Sequence, residues 1–236
     1  QGELKITGHA IEARICAENP DNNFLPATGA LHVYGLPECV TFERGAVRVD
    51  SGVRRGDAIS PFYDSMVAKL IVHGETRAQA LARLDEALAQ THIVGLATNV
   101  QFLRRVASTD SFAKANLDTA LIPREETVLF KQESVGLPLA AAAAVAQTLL
   151  RERASEGADP FSRRDGWRSH GLVERRFEFD FGGVQAKASL AYLHDGALRL
   201  TVGEGADAVS GPLVFSDTGR GIDLQYAGQR TRATVY

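Results

Sequence analysis

Sulfur and aromatic side chains are scarce in this 236-residue chain, which has two cysteines, one methionine, one tryptophan and 7% aromatic residues. Cys16 and Cys39 are too few for a disulfide framework or a CxxC site, and they read as reduced thiols of a cytosolic-type protein. Long hydrophobic runs are also missing. The longest, Val135–Ala146, is broken by Gly136 and Pro138 and closed by Gln147, well short of the ~20 residues that span a bilayer. No charged segment precedes an apolar one at the N-terminus, so no secretory signal is read there. Net charge is only −3, with 14 basic and 17 acidic residues over 1–134 and 12 of each over 135–236. Neither half carries the basic footprint of a nucleic-acid or anionic-membrane binder. Six histidines show no HxxxH or HExxH spacing, and a P-loop, a GxSxG elbow and an EF-hand are absent. Gln1 opens the chain and Met66 is its sole methionine, so a processed product or a piece of something longer is expected.

What is present is a globular balance, 44% hydrophobic and 23% charged, which excludes disorder and low-complexity scaffolds. The length allows one large domain or two small ones. Arginine outnumbers lysine 21 to 5 and alanine is abundant, a bias expected of a GC-rich bacterial genome.

Along Gly8–Glu18, Ile11, Ala13, Ile15 and Ala17 alternate with Glu12, Arg14, Cys16 and Glu18, which predicts a half-buried strand ended by turn residues Asn19–Asn23. Short strands are expected over 29–33, 40–42 and 46–49, and Pro61 marks a loop. Met66–His73 is apolar enough for a central strand. Thr76–Gln79 and Thr98–Gln101 both carry the capping-box pattern, predicting one helix to about Gln90 and another through Leu103 and Val106.

Leu137–Arg153 predicts a strong helix, with Pro138 in its first turn, an alanine-rich body, and Arg151 and Arg153 at its negative end. It is apolar nearly all round up to Gln147, so other structure must enclose it. After the polar linker Ser155–Gly166 the period becomes two, through Phe177, Phe179 and Phe181, a Gly182–Gly183 turn and the return strand Val184–Leu193. Further strands over 198–202, 208–215, 222–227 and 229–235 complete an antiparallel meander of about six strands wrapped around that helix. The fold class read from this pattern is α+β.

Gly203-Glu204-Gly205 with Ala208 imitates a dinucleotide fingerprint, but Gly211 and Pro212 follow where a helix would have to hold pyrophosphate, so it reads as a hairpin turn. Arg14, on the polar face of its strand, is either salt-bridged to Glu12 or Glu18 or aimed at an oxyanion. Asp64, in PFYDSMVAKL, is either a turn cap or a carboxylate that orients a cation. The local pattern leaves both open.

Four ordered segments, GHAIEARICAENP (8–20), FLPATG (24–29), PFYDSMVAKLIVHG (61–74) and TNVQFL (98–103), together resemble the C-terminal part of biotin carboxylase over roughly residues 3–125. DPFSRRDGWR (159–168) and the meander after it resemble the domain that joins carboxylase to biotin carrier in α subunits of the 3-methylcrotonyl-CoA type. Propionyl-, acetyl- and geranyl-CoA carboxylases share the first half nearly as well, and Asp165-Gly166-Trp167-Arg168 favours methylcrotonyl-CoA.

The resemblance implies a biotin carboxylase C-terminal domain over 1–125 and a connecting domain over 126–236, built as an antiparallel β-barrel (meander 173–236) around helix 137–153. It implies a ligase in which ATP and Mg activate bicarbonate and N1′ of biotin is carboxylated. By resemblance, Arg14 stabilises the biotin ureido oxyanion, Asp64 orients that arginine, and Leu117 lines the adenine pocket. Biotin itself would ride on a part of the subunit outside this chain, and ATP and Mg would be held mainly by residues upstream. The family's glycine-rich ATP lid, catalytic glutamate, metal carboxylates and biotinyl lysine have no counterpart in these residues, so this piece alone is expected to be inert. Implied partners are a carboxyltransferase β subunit, a biotin carrier domain and a second copy of the enzyme, in the bacterial cytoplasm or the mitochondrial matrix. For the second half alone, a non-catalytic interaction module is the alternative.

Overall fold

Alternation in the first segment sets the architecture of the N-terminal half. Ile11, Ala13 and Ile15 of β1 (His9–Cys16) are buried on one face, and Ala17 continues the phase. The computed structural model describes residues 5–130, 135–164, 166, 171–219 and 221–236. The chain divides into two compact units, Gln1–Gln132 and Glu133–Tyr236.

In the first unit β2 (Val33–Gly35), β3 (Val47–Ser51) and β4 (Met66–Gly74) follow β1. β4 is the centre of an antiparallel sheet of order β1-β4-β3, as its unbroken apolar run predicts. Its Val67, Ala68, Leu70 and Val72 are buried with Ile11, Ile15 and Val49. α1 (Arg77–Ala89) packs Ala80, Leu84, Ala87 and Leu88 on that core. Half of its predicted capping box forms: Thr76 Oγ1 accepts from Gln79 N–H (3.3 Å), while Gln79 Oε1 accepts from the N–H of Glu75 (3.0 Å), one residue before the cap. Gly74 is required by close approach, since a Cβ there would lie 2.6 Å from the Ala80 nitrogen.

After α1, β5 (His92–Val94) pairs with β2, and α2 (Val100–Ser108) leads to helical turns at 110–113, 121–124 and 126–129. The expected strand at 29–33 is split, because residues 29–30 pair with 58–59 while 33–35 pair with β5. The expected strand at 40–42 is a single bridge from Val40 to Arg48, because Phe42 turns to φ 54° and its N–H donates to Asp50. Residues 126–129 lie in the first unit, beyond the sequence-based boundary at 125: Leu129 is fully buried and packs with Phe102 and Leu121.

The second unit has α3 (Leu137–Ala154), close to the predicted helix, with Ala141, Ala142, Val145, Ala146 and Leu149 buried. Four strands, β6 (Val173–Phe181), β7 (Val184–Tyr192), β8 (Leu198–Val202) and β9 (Val209–Pro212), form one antiparallel sheet in that order. A second contains β10 (Val214–Asp217), β11 (Ile222–Tyr226) and β12 (Gln229–Ala233). α3 shares one core with both sheets, which is the enclosure its all-round apolar surface demands. The strand expected over 208–215 is broken at Leu213, where the backbone passes from one sheet to the other and Leu213 N–H donates to Leu198 O (2.9 Å). Buried Tyr226 staples the sheets: its hydroxyl lies 2.6 Å from Val209 O and 3.2 Å from Leu200 O. The Gly203–Gly205 segment is a turn between β8 and β9 with a short 3-10 helix at 205–207, as expected.

Candidate active site on the outer face of the first sheet

Inward packing of Ile11, Ala13 and Ile15 forces Glu12 and Arg14 to the opposite face of β1. Register then fixes their neighbours. Arg14, Lys69 and Asp50 form one cross-strand row over β1, β4 and β3, and Glu12, Ile71 and Arg48 form the next. Asp50 is consumed within this face. Arg48 Nε and Nη2 donate to its two carboxylate oxygens at 2.9 and 2.6 Å, and this holds the Asp50 carboxyl below the usual range. Arg14 has no such lock. Its Nε lies 3.5 Å from Glu12 Oε1 and its side chain is 68% exposed, so that ion pair contributes little. Two cations therefore stand side by side, Arg14 and half-buried Lys69, an arrangement that costs stability in a sheet.

The backbone beneath Arg14 is fixed more firmly than its guanidinium. β1 is an edge strand, and its pairing with β4 shifts register between Ile15 and Cys16. Asn99, immediately before α2 and 8% exposed, covers the free edge at that point. Its Oδ1 accepts from Cys16 N–H (2.9 Å), its Nδ2 donates to Arg14 O (3.0 Å), and its own N–H donates to Cys16 O (3.1 Å). This changes the reading of the second capping box. Asn99, not Thr98, is the residue before α2, and its amide does not cap the helix because it serves β1.

Asp64 is exposed in the loop entering β4, and its Oδ1 accepts from Met66 N–H (3.0 Å). Asp64, expected to orient Arg14, makes its hydrogen bond within its own loop, while Arg14 meets Glu12. Both groups do bear on the Cys16 thiol. Burial pushes that thiol up, Glu18 and Asp64 add to the shift, and Ser65 and Arg14 oppose it. Next to it, Ser65 Oγ donates to Glu18 Oε1 (2.6 Å). Arg14, Asp64 and Cys16 thus share one patch, with Lys69 across the strand.

Leu117 is elsewhere. It is exposed on a loop pinned by Arg124, which reaches the Asp118 carboxylate (3.1 Å) and Asn116 O (3.2 Å), and no hydrogen bond joins it to β1 among the described residues. The described residues contain no group of three or more His, Cys, Asp or Glu residues able to hold a metal. No described helix is long and apolar enough to cross a membrane. Asp165, Trp167 and Arg168, on which the choice of acyl-CoA class leaned, lie outside the described residues.

Sequence reasoning missed Asn99 and Lys69. Asn99 was absorbed in an apparent cap, and Lys69 in an apolar strand, although a lone charge in phase with Ile71 marks an outward position.

Comparison with known proteins identifies both halves of the chain. Residues 12–124 match the biotin carboxylase C-terminal domain, and residues 136–236 match the methylcrotonyl-CoA carboxylase, alpha-subunit, BT domain. The mouse mitochondrial methylcrotonoyl-CoA carboxylase subunit alpha is 33% identical over 226 residues, covering 92% of this chain and 31% of its own. The soybean (Glycine max) mitochondrial subunit alpha is 46% identical over 130 residues, covering 55% of this chain and 17% of its own. The chain therefore spans less than a third of the length of these relatives. The biotin carboxylase subunit of pyruvate carboxylase superposes with a TM-score of 0.52 at 32% identity, over 56% of this chain and 28% of that one. The chain belongs to the biotin-dependent carboxylase family, with a biotin carboxylase C-terminal domain followed by a methylcrotonyl-CoA carboxylase α-subunit BT domain.

Proposed function

We propose that the first unit forms the biotin-facing wall of a biotin carboxylase site, in which Arg14 stabilises the ureido oxyanion as N1′ of biotin loses its proton. The observation that carries this is an arginine left exposed and without a strong ion pair on a strand whose backbone is clamped by Asn99. A planar guanidinium carried on that clamped strand offers two donors to one developing oxyanion. Lys69 adds positive potential from the same row, and Asp64 acts on the patch through space. Leu117 contributes an apolar contact to an adenine pocket whose remaining walls, with those for Mg, come from other residues of the enzyme. ATP, when bound, would supply the phosphoryl group that activates bicarbonate, and bicarbonate would supply the carboxyl group.

The product would be methylcrotonyl-CoA carboxylated on a carboxyltransferase β subunit, after a biotin carrier domain brings the carboxyl group across. The BT-domain match supports this choice over other acyl-CoA carboxylases and supports a role for the second unit in docking to β. Relatives named as mitochondrial support a matrix location in eukaryotes, with the cytoplasm as its bacterial equivalent.

The test is free-biotin carboxylation by the carboxylase subunit that includes these residues. Arg14→Ala is expected to lower the rate by about 10²-fold or more, and an unchanged rate returns Arg14 to a surface ion pair with Glu12. A polypeptide ending at 132 is expected not to bind the β subunit; retained binding removes the docking role.

A further inference from the structure

We infer that Asn99 is a positioning residue for Arg14, acting as a surrogate strand on the open edge of β1. The inference rests on the proposed role of Arg14 and adds a residue that the role requires. In an antiparallel sheet the Arg14 carbonyl and the Cys16 N–H and carbonyl point the same way, here to the edge that β4 does not cover. A neighbouring strand would supply N–H, C=O and N–H at that spacing. Asn99 supplies the same three groups from one residue: carboxamide N–H to Arg14 O, carboxamide oxygen to Cys16 N–H, and backbone N–H to Cys16 O. The substitute falls where the ladder with β4 slips between Ile15 and Cys16, so β4 alone holds this stretch less firmly.

The location has consequences for the guanidinium. Arg14 is exposed and its guanidinium has one long contact, so packing does not place it, and the clamped backbone fixes the point from which the side chain reaches out. Asn99 in turn is fixed from behind, because Leu103 N–H donates to Asn99 O (2.9 Å) and Phe102 of the same helix is buried with Leu129. The clamp therefore ties the arginine to α2. Loss of the amide frees two backbone groups of β1 to water and lets the strand edge relax, and displacements near 1 Å are enough to weaken an oriented contact with a reacting group.

A double-mutant cycle in the carboxylase subunit that includes these residues tests the inference. Asn99→Ala is expected to lower the free-biotin carboxylation rate roughly tenfold, with the KM for ATP unchanged. Asn99→Asp, which keeps the acceptor for Cys16 N–H and loses the donor to Arg14 O, is expected to fall between wild type and Ala. In an Arg14→Ala background, Asn99→Ala is expected to change the rate no further. Equal loss in both backgrounds would make Asn99 a general structural residue and overturn the inference, as would a full rate for Asn99→Ala when Arg14→Ala is impaired. If Arg14→Ala itself retains full rate, the proposed role of Arg14 fails first and the inference falls with it. Thermal denaturation of each variant identifies any that do not fold, and Asn99→Asp then decides the case.

Discussion

Arg175 in the second unit and Arg14 in the first are both strand arginines, yet their surroundings are opposite. Arg175 donates to both oxygens of Glu152 at 2.6 and 2.7 Å and lies 4.8 Å from the Phe177 ring centroid. Arg14 meets one carboxylate at 3.5 Å and projects into solvent. Glu152, half-buried at the end of α3, is also approached by Arg164 at 3.3 Å, and its carboxyl is held below the ordinary glutamate range by the Arg175 hydrogen bonds. Arg153 of the same turn lies 5.0 Å from the Phe215 ring, so the end of α3 is tied to both sheets. The Glu152 cluster thus ties the helix of the second unit to its sheets, while in the first unit Arg14 is left weakly paired over a clamped backbone. An exposed cation that contributes little to folding is the kind of group that a reaction can use.

Several substitutions bear on that contrast. The largest structural effect is expected for Leu200→Ala, a fully buried residue between α3 and Tyr226, at about 3 kcal/mol of stability in chemical denaturation. Glu152→Gln is expected to cost about 2 kcal/mol, reduced from the value for a fully buried pair because Arg175 is partly exposed. The depressed carboxyl of Glu152 gives this contribution a pH signature. It is fully present above the unfolded glutamate value of about 4.3 and is lost as pH falls through the lower folded value. Urea melts between pH 6 and 3 should therefore weaken in wild type and flatten in Glu152→Gln; parallel curves would show that the pair is not stabilising. Ala227→Gly is expected to have the smallest effect, a gain of up to about 1 kcal/mol. Ala227 and Gly228 sit at φ 50° and 76° in the turn joining β11 to β12, where the equivalent β6–β7 turn uses Gly182 and Gly183 at 61° and 84°.

Much of the fold was legible in the amino-acid sequence. The helix at 137–154 and the strands from Val173 onward follow from periodicity, because long elements carry enough residues for one pattern to dominate. The same holds for β1, β4 and α1. Elements of two to four residues, such as 58–59, 92–94 and 126–129, are set by what they pair with or pack on, so no local pattern announces them. Arg14 and Asp64 stand out locally but stay ambiguous there, and the roles given to them come from the resemblance of the four family segments. The Asn99 clamp joins positions 83 and 85 residues apart, and nothing near Asn99 in sequence points to β1.

The central claim is that Arg14 serves chemistry and not folding. Its most direct test measures two quantities on the Arg14→Gln variant, the denaturation midpoint and the rate of free-biotin carboxylation. The account predicts an unchanged midpoint with a rate lowered about 10²-fold. A lowered midpoint with an unchanged rate would contradict it and leave Arg14 as a structural partner of Glu12.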